Sequence, residues 1–427
     1  MISRKLLSSP SLLQRCSSLL SKSVRCLSVP DTSKREEALF HFIKDKIRST
    51  GPITVHEYMQ LAAGSGAGYY YNKNAGENDK IFGAGGDFIT SPELTQVFGE
   101  LVAIWIYNEL ANTGHRGEWH LVELGPGSGT LMSDILRVMQ RFQEDKLTVH
   151  LVEISDNLID TQEKLLCGSV SKNVEGKSYV RKSLSLYGVT VYWHKEISDI
   201  PDGFSKSKTS WHEVYVNLNQ DGKLCFMLSK GENLHTKGIL PESIKNDESR
   251  RHFEVSPEAC TIVSQVSDMI TKNGGFALFI DYGHDGSRRD LSLRAYHKHQ
   301  QVNPLENPGR YDLTTDVNFG YLENLIKDQA LVFGPSEQRF FLAQLGILAR
   351  MQYLMKQCKT KEERQSLFNA YKMLMTSTEE GGMGTAFKCF SIFPKSLTEI
   401  MQKRGGYPDG FRPMNQATVE PSKDPEK

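Results

Sequence analysis

Three glycines at alternate positions, Gly125, Gly127 and Gly129, directly follow an apolar run in His120-Leu-Val-Glu-Leu-Gly-Pro-Gly-Ser-Gly-Thr130. A buried strand that breaks into a glycine turn and restarts as a helix points backbone N–H groups at whatever lies above the turn. Such a turn can cradle a nucleotide-like ligand at close range. The dinucleotide fingerprint needs Gly or Ala at its sixth position, where this chain has Thr130, and this counts against a nicotinamide enzyme. A second chemical group closes the next apolar run, Leu151-Val-Glu153, 28 residues past Gly125. A carboxylate is a pure acceptor with bidentate geometry, so Glu153 suits the two hydroxyls of a ribose; its plain alternative is a solvated strand end. Asp281 and Tyr282 end a third apolar run, where they could face an acceptor or simply terminate a core strand. His284, His297 and His299 lack metal-ligand spacing and read as surface or loop histidines, so no metal is expected.

These groups need a scaffold of alternating strands and helices. Strands are expected at 120–124, 147–153 and 189–193, with helices over 130–142 and from Ser155 onward. Leu131, Ile135, Leu136 and Met139 form one face of the first of these helices. A helix over 257–272 leads into Phe276-Ala-Leu-Phe-Ile-Asp281, a run apolar enough to be buried on both faces. The alternation implies an α/β fold, a mostly parallel, Rossmann-like sheet with helices on both sides. N-terminal helices are expected over 34–50 and 55–62, an ordered loop over 64–90, and a strong helix opened by Ser91-Pro-Glu93 and running past Trp105. Residues 336–405 read as mainly helical with a last strand within 384–393, and residues 406–427 as a loose tail.

Composition narrows the class. The chain has 427 residues, 39% hydrophobic and 24% charged, with Lys+Arg and Asp+Glu both at 51. This balance lacks the basic excess of a nucleic-acid binder. No apolar run approaches the roughly 18 residues that span a bilayer. The seven cysteines are scattered without a Cys-x-x-Cys pair, which fits a reducing compartment. Residues 1–30 are Ser-rich, contain Arg4, Lys5, Arg15, Lys22 and Arg25, and carry no acid before Asp31. A basic, acid-free, amphipathic leader of this kind predicts a mitochondrial presequence.

Several ordered motifs together resemble the MidA-like family of mitochondrial protein arginine methyltransferases that assist assembly of respiratory complex I. They are Gly86-Asp-Phe-Ile-Thr-Ser-Pro-Glu93, Phe98-Gly99-Glu100, Leu121–Thr130, Ala277-Leu-Phe-Ile-Asp-Tyr-Gly-His284, Asp312-Leu-Thr-Thr-Asp-Val317 and Met383-Gly-Thr-Ala-Phe-Lys388. The resemblance covers about residues 37–395. It implies a class I methyltransferase fold, S-adenosyl-L-methionine as cofactor, and symmetric dimethylation of an arginine in a matrix-arm subunit of complex I, in the mitochondrial matrix. It further implies that the 86–93 segment folds over the cofactor, with Asp87, Thr90 and Ser91 near its methionine end. The corresponding domain layout is a capping region over 34–118 and a methyltransferase core over 119–335, with a hairpin insertion at 211–228.

The chain departs from this family in one place. A fourth core strand should follow Ile200-Pro201, ending in an acid-rich segment beside the methyl group. Instead Pro201-Asp-Gly-Phe-Ser-Lys-Ser-Lys-Thr-Ser-Trp211 holds one large apolar residue, Phe204, before Trp211. Such a run cannot be a buried central strand, and about twenty residues are missing by comparison with the family. A gap in the sheet is the expected consequence. It raises a second reading for this chain: a non-catalytic assembly factor that keeps the fold. A small-molecule methyltransferase is a third.

Overall fold

The computed structural model describes residues 32–65, 68–69, 90–170, 179–195, 213–229, 244, 247 and 252–414. The presequence, Asp87 and the segment 201–211 lie outside the described residues.

Thr95 adopts extended backbone (φ −166°, ψ 143°), and its hydroxyl accepts the Val97 N–H to start helix α1 (Gln96–Thr113). The expected helix from Ser91 is therefore two helices, a turn at Ser91–Leu94 and then α1. A β-branched residue that can cap breaks the pattern that apolar spacing alone would continue. Helix α1 is apolar on most of its surface and carries ten buried residues, so it is a core helix.

Strand β1 (Trp119–Leu124) pairs in parallel with β2 (Leu147–Val152), and β2 pairs in parallel with β4 (Thr190–His194). The short β3 (Arg181–Leu184) closes this sheet antiparallel against β4. Helix α2 (Thr130–Arg141) connects β1 to β2, and α3 (Asp156–Cys167) follows β2, as the alternation predicted. Val149, Leu151, Val191 and Trp193 face one core with no exposed surface.

A second four-stranded sheet is built on β5 (Ala277–His284). The edge strand β6 (Ala330–Glu337) pairs antiparallel with β7 (Phe387–Pro394), and β7 pairs antiparallel with β5. The other edge of β5 is met only at Gly283 and His284, by Val317–Asn318. Among the described residues no strand lies between β1 and β5, and the two belong to separate sheets. Val122 and Leu124 on β1 are each 37% exposed, which a central strand would not be. Helix α1 bridges the two halves: Trp105 meets Phe276 edge-on at 5.3 Å and Phe393 at 6.3 Å, and it shares a core with Val149 and Leu151.

The motif Phe98-Gly99-Glu100 knots this core. A Cβ at Gly99 would stand 2.5 Å from Asp134 Cβ, so only glycine lets α1 and α2 approach so closely. The buried Glu100 takes a two-pronged ion pair from Arg350, at 2.7 and 3.0 Å.

The hairpin expected as an insertion (Val214–Leu218, Leu224–Leu228) lies outside the two four-stranded sheets. It pairs with Ile53–Thr54, and Val216 shares a separate core with Leu39, Ile43, Tyr58, Ala295 and Leu313. Alternation along a hairpin shows that one face is buried but not against what. Residues 406–414 of the expected loose tail are also packed: Phe411 is buried, and the Asp409 carbonyl accepts the Trp105 indole N–H at 2.9 Å. Their polar, proline-bearing composition hides that single aromatic anchor.

Candidate functional site

The glycine turn after β1 has left-handed backbone at all three glycines, with φ of +64°, +55° and +85° at Gly125, Gly127 and Gly129. Any residue with a Cβ would be strained there. The space that a Cβ at Gly125 would enter is empty out to 4 Å, while at Gly129 it would press on Gln162 Cγ at 3.3 Å. One side of the turn is therefore open and the other is packed. Helix α2 starts at Thr130 with no side-chain cap, so its first N–H groups are available to an acceptor.

The turn is held from both flanks. Glu93, from the Ser91–Leu94 turn, accepts hydrogen bonds from the hydroxyls of Ser128 and Thr130, the latter at 2.9 Å. On the packed side the Gln162 amide donates to the Gly127 carbonyl at 2.8 Å. Neither Glu93 nor Gln162 was singled out from sequence. Glu93 lay within a motif read as a cap, and Gln162 sits on an ordinary amphipathic helix.

Glu153 closes β2 and is 6% exposed. Its Oε1 accepts the Ser155 N–H at 2.8 Å and its Oε2 accepts from Gln162 at 3.2 Å. Burial raises its pKa, opposed by those two hydrogen bonds, by the charge of Lys195 and by a further hydrogen bond from the Ile154 backbone. Next to it, Ile154 is 52% exposed, an apolar surface beside the buried carboxylate.

Glu123 is a further residue the sequence reading passed over. Its Oε2 is buried and has no hydrogen-bond partner among the described residues, and burial pushes its pKa up to about 8. An acid in an otherwise apolar strand, two residues before the turn, was the available signal. An unpartnered carboxyl oxygen at the root of an open glycine turn is available to a polar ligand.

The other expected residues fall as follows. Thr90 caps the Ser91–Leu94 turn by position, without a side-chain bond. Ser91 is buried and donates to Gln338 Oε1 at 2.8 Å, so its hydroxyl ties the capping region to the segment after β6. Asp281 accepts its neighbour's N–H, from Tyr282, at 2.7 Å. It is exposed to solvent, yet the protein around it and the charge of Asp316 push its pKa up to about 6. Tyr282 stacks on Phe387 with ring centres 4.1 Å apart, and the Arg294 guanidinium lies 5.2 Å from its ring. Arg294 and Arg288 both pair with Asp316, at 2.7 and 2.8 Å. This cluster already organises guanidinium groups with an aromatic face and a carboxylate.

Across the outer face of the first sheet runs a chain of imidazoles. His120 Nδ1 lies 2.9 Å from His150 Nε2, and His150 Nδ1 lies 3.0 Å from His194 Nε2. Among the described residues no group of three His, Cys, Asp or Glu side chains could hold a metal ion, and no helix is long and apolar enough to cross a membrane.

Residues 101–336 match the family described as "Putative S-adenosyl-L-methionine-dependent methyltransferase". The chain is 50% identical to a protein of Caenorhabditis elegans named "Protein arginine methyltransferase NDUFAF7 homolog, mitochondrial", over 94% of this chain and 97% of that one. That alignment runs over 420 residues, more than 94% of 427, so it contains positions this chain leaves blank. The human protein arginine methyltransferase of the same name is 35% identical over 82% of each chain. In fold, the chain is similar to a Burkholderia thailandensis protein solved bound to S-adenosyl-homocysteine, with a TM-score of 0.65, 22% identity, and coverage of 86% of this chain and 94% of that one.

Proposed function

Because the chain belongs to the S-adenosyl-L-methionine-dependent methyltransferase family, we propose that it methylates an arginine side chain of a mitochondrial protein. The observation that carries this reading is the near full-length identity to a relative named for that activity. The glycine turn, open above Gly125 and flanked by Glu123 and Glu153, supports the cofactor part. When bound, S-adenosyl-L-methionine supplies an activated methyl group on a sulfonium.

In this reading Gly125, Gly127 and Gly129 admit the ligand against the backbone, and Glu153 accepts from the ribose hydroxyls. Thr90 lies on the capping side, and the family resemblance assigns Asp87 to the methionine end of the cofactor. The protein's further task is to align the acceptor and manage its charge, since methyl transfer is an in-line displacement that needs no metal or covalent nucleophile. An arginine holds its proton with a pKa above about 12. Asp281 and Tyr282 are the residues assigned to orient that guanidinium and to take up its charge. The finer identity of the acceptor follows the family resemblance: a matrix-arm subunit of complex I, dimethylated symmetrically in the matrix during assembly.

The split between β1 and β5 favours a second reading for this chain, an assembly factor that keeps the fold without catalysis. One experiment separates the two. The chain, and a version with the fourth strand restored, are incubated with methyl-labelled S-adenosyl-L-methionine and matrix-arm subunits, and arginine methylation is read by mass spectrometry. Methylation by the restored form supports the enzyme. Failure of both forms refutes it, and equal activity of both removes the significance of the gap.

A further inference from the structure

Gln162 on α3 has no exposed surface, and all three of its amide interactions lead to the ligand loop or its supports. Its carbonyl oxygen accepts the Trp193 indole N–H at 3.0 Å. An indole N–H can only donate, so this bond fixes which end of the amide is oxygen and which is nitrogen. The NH2 group then spends one proton on the Gly127 carbonyl at 2.8 Å and the other on Glu153 Oε2 at 3.2 Å. A single buried side chain thus ties the turn after β1, the end of β2 and the end of β4.

The consequence lies in the lone pairs of Glu153. A carboxylate offers about four acceptor sites, two on each oxygen. The Ser155 N–H uses one on Oε1, Gln162 uses one on Oε2, and the Ile154 N–H also bonds the carboxylate. What remains of its accepting capacity is available to a ribose hydroxyl. A purely structural residue at this buried position would be apolar, because burying an amide costs free energy unless every hydrogen bond is made. Here every one is made, and two of the three go to groups that meet the ligand.

We propose that Gln162 is a positioning residue for cofactor binding, which locks the Glu153 carboxylate in its diol-accepting orientation and holds the glycine turn at the matching distance. This rests on the methyl-donor reading of the site. Its donation also favours the ionised, accepting form of Glu153 against the cost of burial.

The test uses the full chain and S-adenosylhomocysteine as probe, with affinity read by calorimetry and folding by thermal melts. Gln162→Met keeps the volume and removes the hydrogen bonds. It should weaken binding about tenfold, as the loss of a bond to a charged acceptor does, with a smaller proportional effect on melting. In a Glu153→Ala background the same change should cost little, because the carboxylate it orients is gone. Gln162→Glu serves if Met disturbs folding. It can donate to Glu153 only when protonated, so its binding should recover as pH is lowered, which a structural filler would not do. Unchanged affinity of Gln162→Met, or equal weakening with and without Glu153, overturns the inference. Absence of any binding by the unmutated chain would instead overturn the methyl-donor reading on which it rests.

Discussion

The Glu93 carboxylate accepts the Thr130 hydroxyl at 2.9 Å and thereby fastens the capping region to the first residue of the helix that follows the glycine turn. The same oxygen accepts from Ser128, inside the turn. Glu93→Ala would leave the Ser128 and Thr130 hydroxyls only each other as partners, 2.8 Å apart, and cut the turn's tie to the capping region. Binding of S-adenosylhomocysteine should weaken by about tenfold, since hydrogen bonds to a charged acceptor contribute about 1.5–3 kcal/mol. Calorimetry decides this, and unchanged affinity would show the clamp to be idle.

Gly99 and Asp134 set how closely α1 and α2 approach. The contact is with Asp134 Cβ, which cannot swing away as a side-chain tip could. Gly99→Ala should therefore lower stability by about 1–3 kcal/mol, the usual cost of overpacking. The midpoint of urea unfolding is the measurement, and an unshifted midpoint would mean the helices part freely.

Glu123 makes stability fall as pH rises. Its carboxyl ionises near pH 8 in the folded chain against an ordinary value of 4.5, because burial penalises the charge. Between those values the unfolded chain has lost a proton that the folded chain still holds, so the folded state is progressively disfavoured. The effect is on the order of 5 kcal/mol, complete above about pH 8. Melts of the chain and of Glu123→Gln across this range should diverge, with the variant's curve the flatter. Parallel curves would place Glu123 in contact with water.

His150 acts with the opposite sign. Burial, together with the neighbouring His194 and His120, lowers its pKa from 6.5 to about 4. Below pH 6.5 the unfolded chain takes up a proton that the folded chain refuses until about pH 4, so stability is lost on acidification through that window. His150→Gln should resist acid better than the unmutated chain in thermal melts from neutral pH to about 4. Equal acid sensitivity would shift the cause to other groups.

Where periodicity and capping agree, the elements stand where the sequence put them. Helix 257–272 is Pro257–Asn273, and the expected strand 147–153 is Leu147–Val152. The glycine turn was legible because positive φ demands glycine, and Glu153 because a lone acid ending an apolar run stands out in the sequence. Gln162 and Glu93 were not legible, since Gln162 meets the turn at Gly127, 35 residues away, and Glu93 meets Thr130, 37 residues away.

Local chemistry written along the chain decided the alternation of strand and helix, the ligand turn, its carboxylate, and the lack of an apolar fourth strand. Such features rest on near-neighbour spacing and backbone sterics. Tertiary packing alone decided that α1 would join two separate half-sheets, that the hairpin would leave the main sheet for the N-terminal helices, and that one buried amide would connect turn to carboxylate. Burial and hydrogen-bond completion are properties of residues brought together from distant positions, and no local pattern encodes which distant group will arrive.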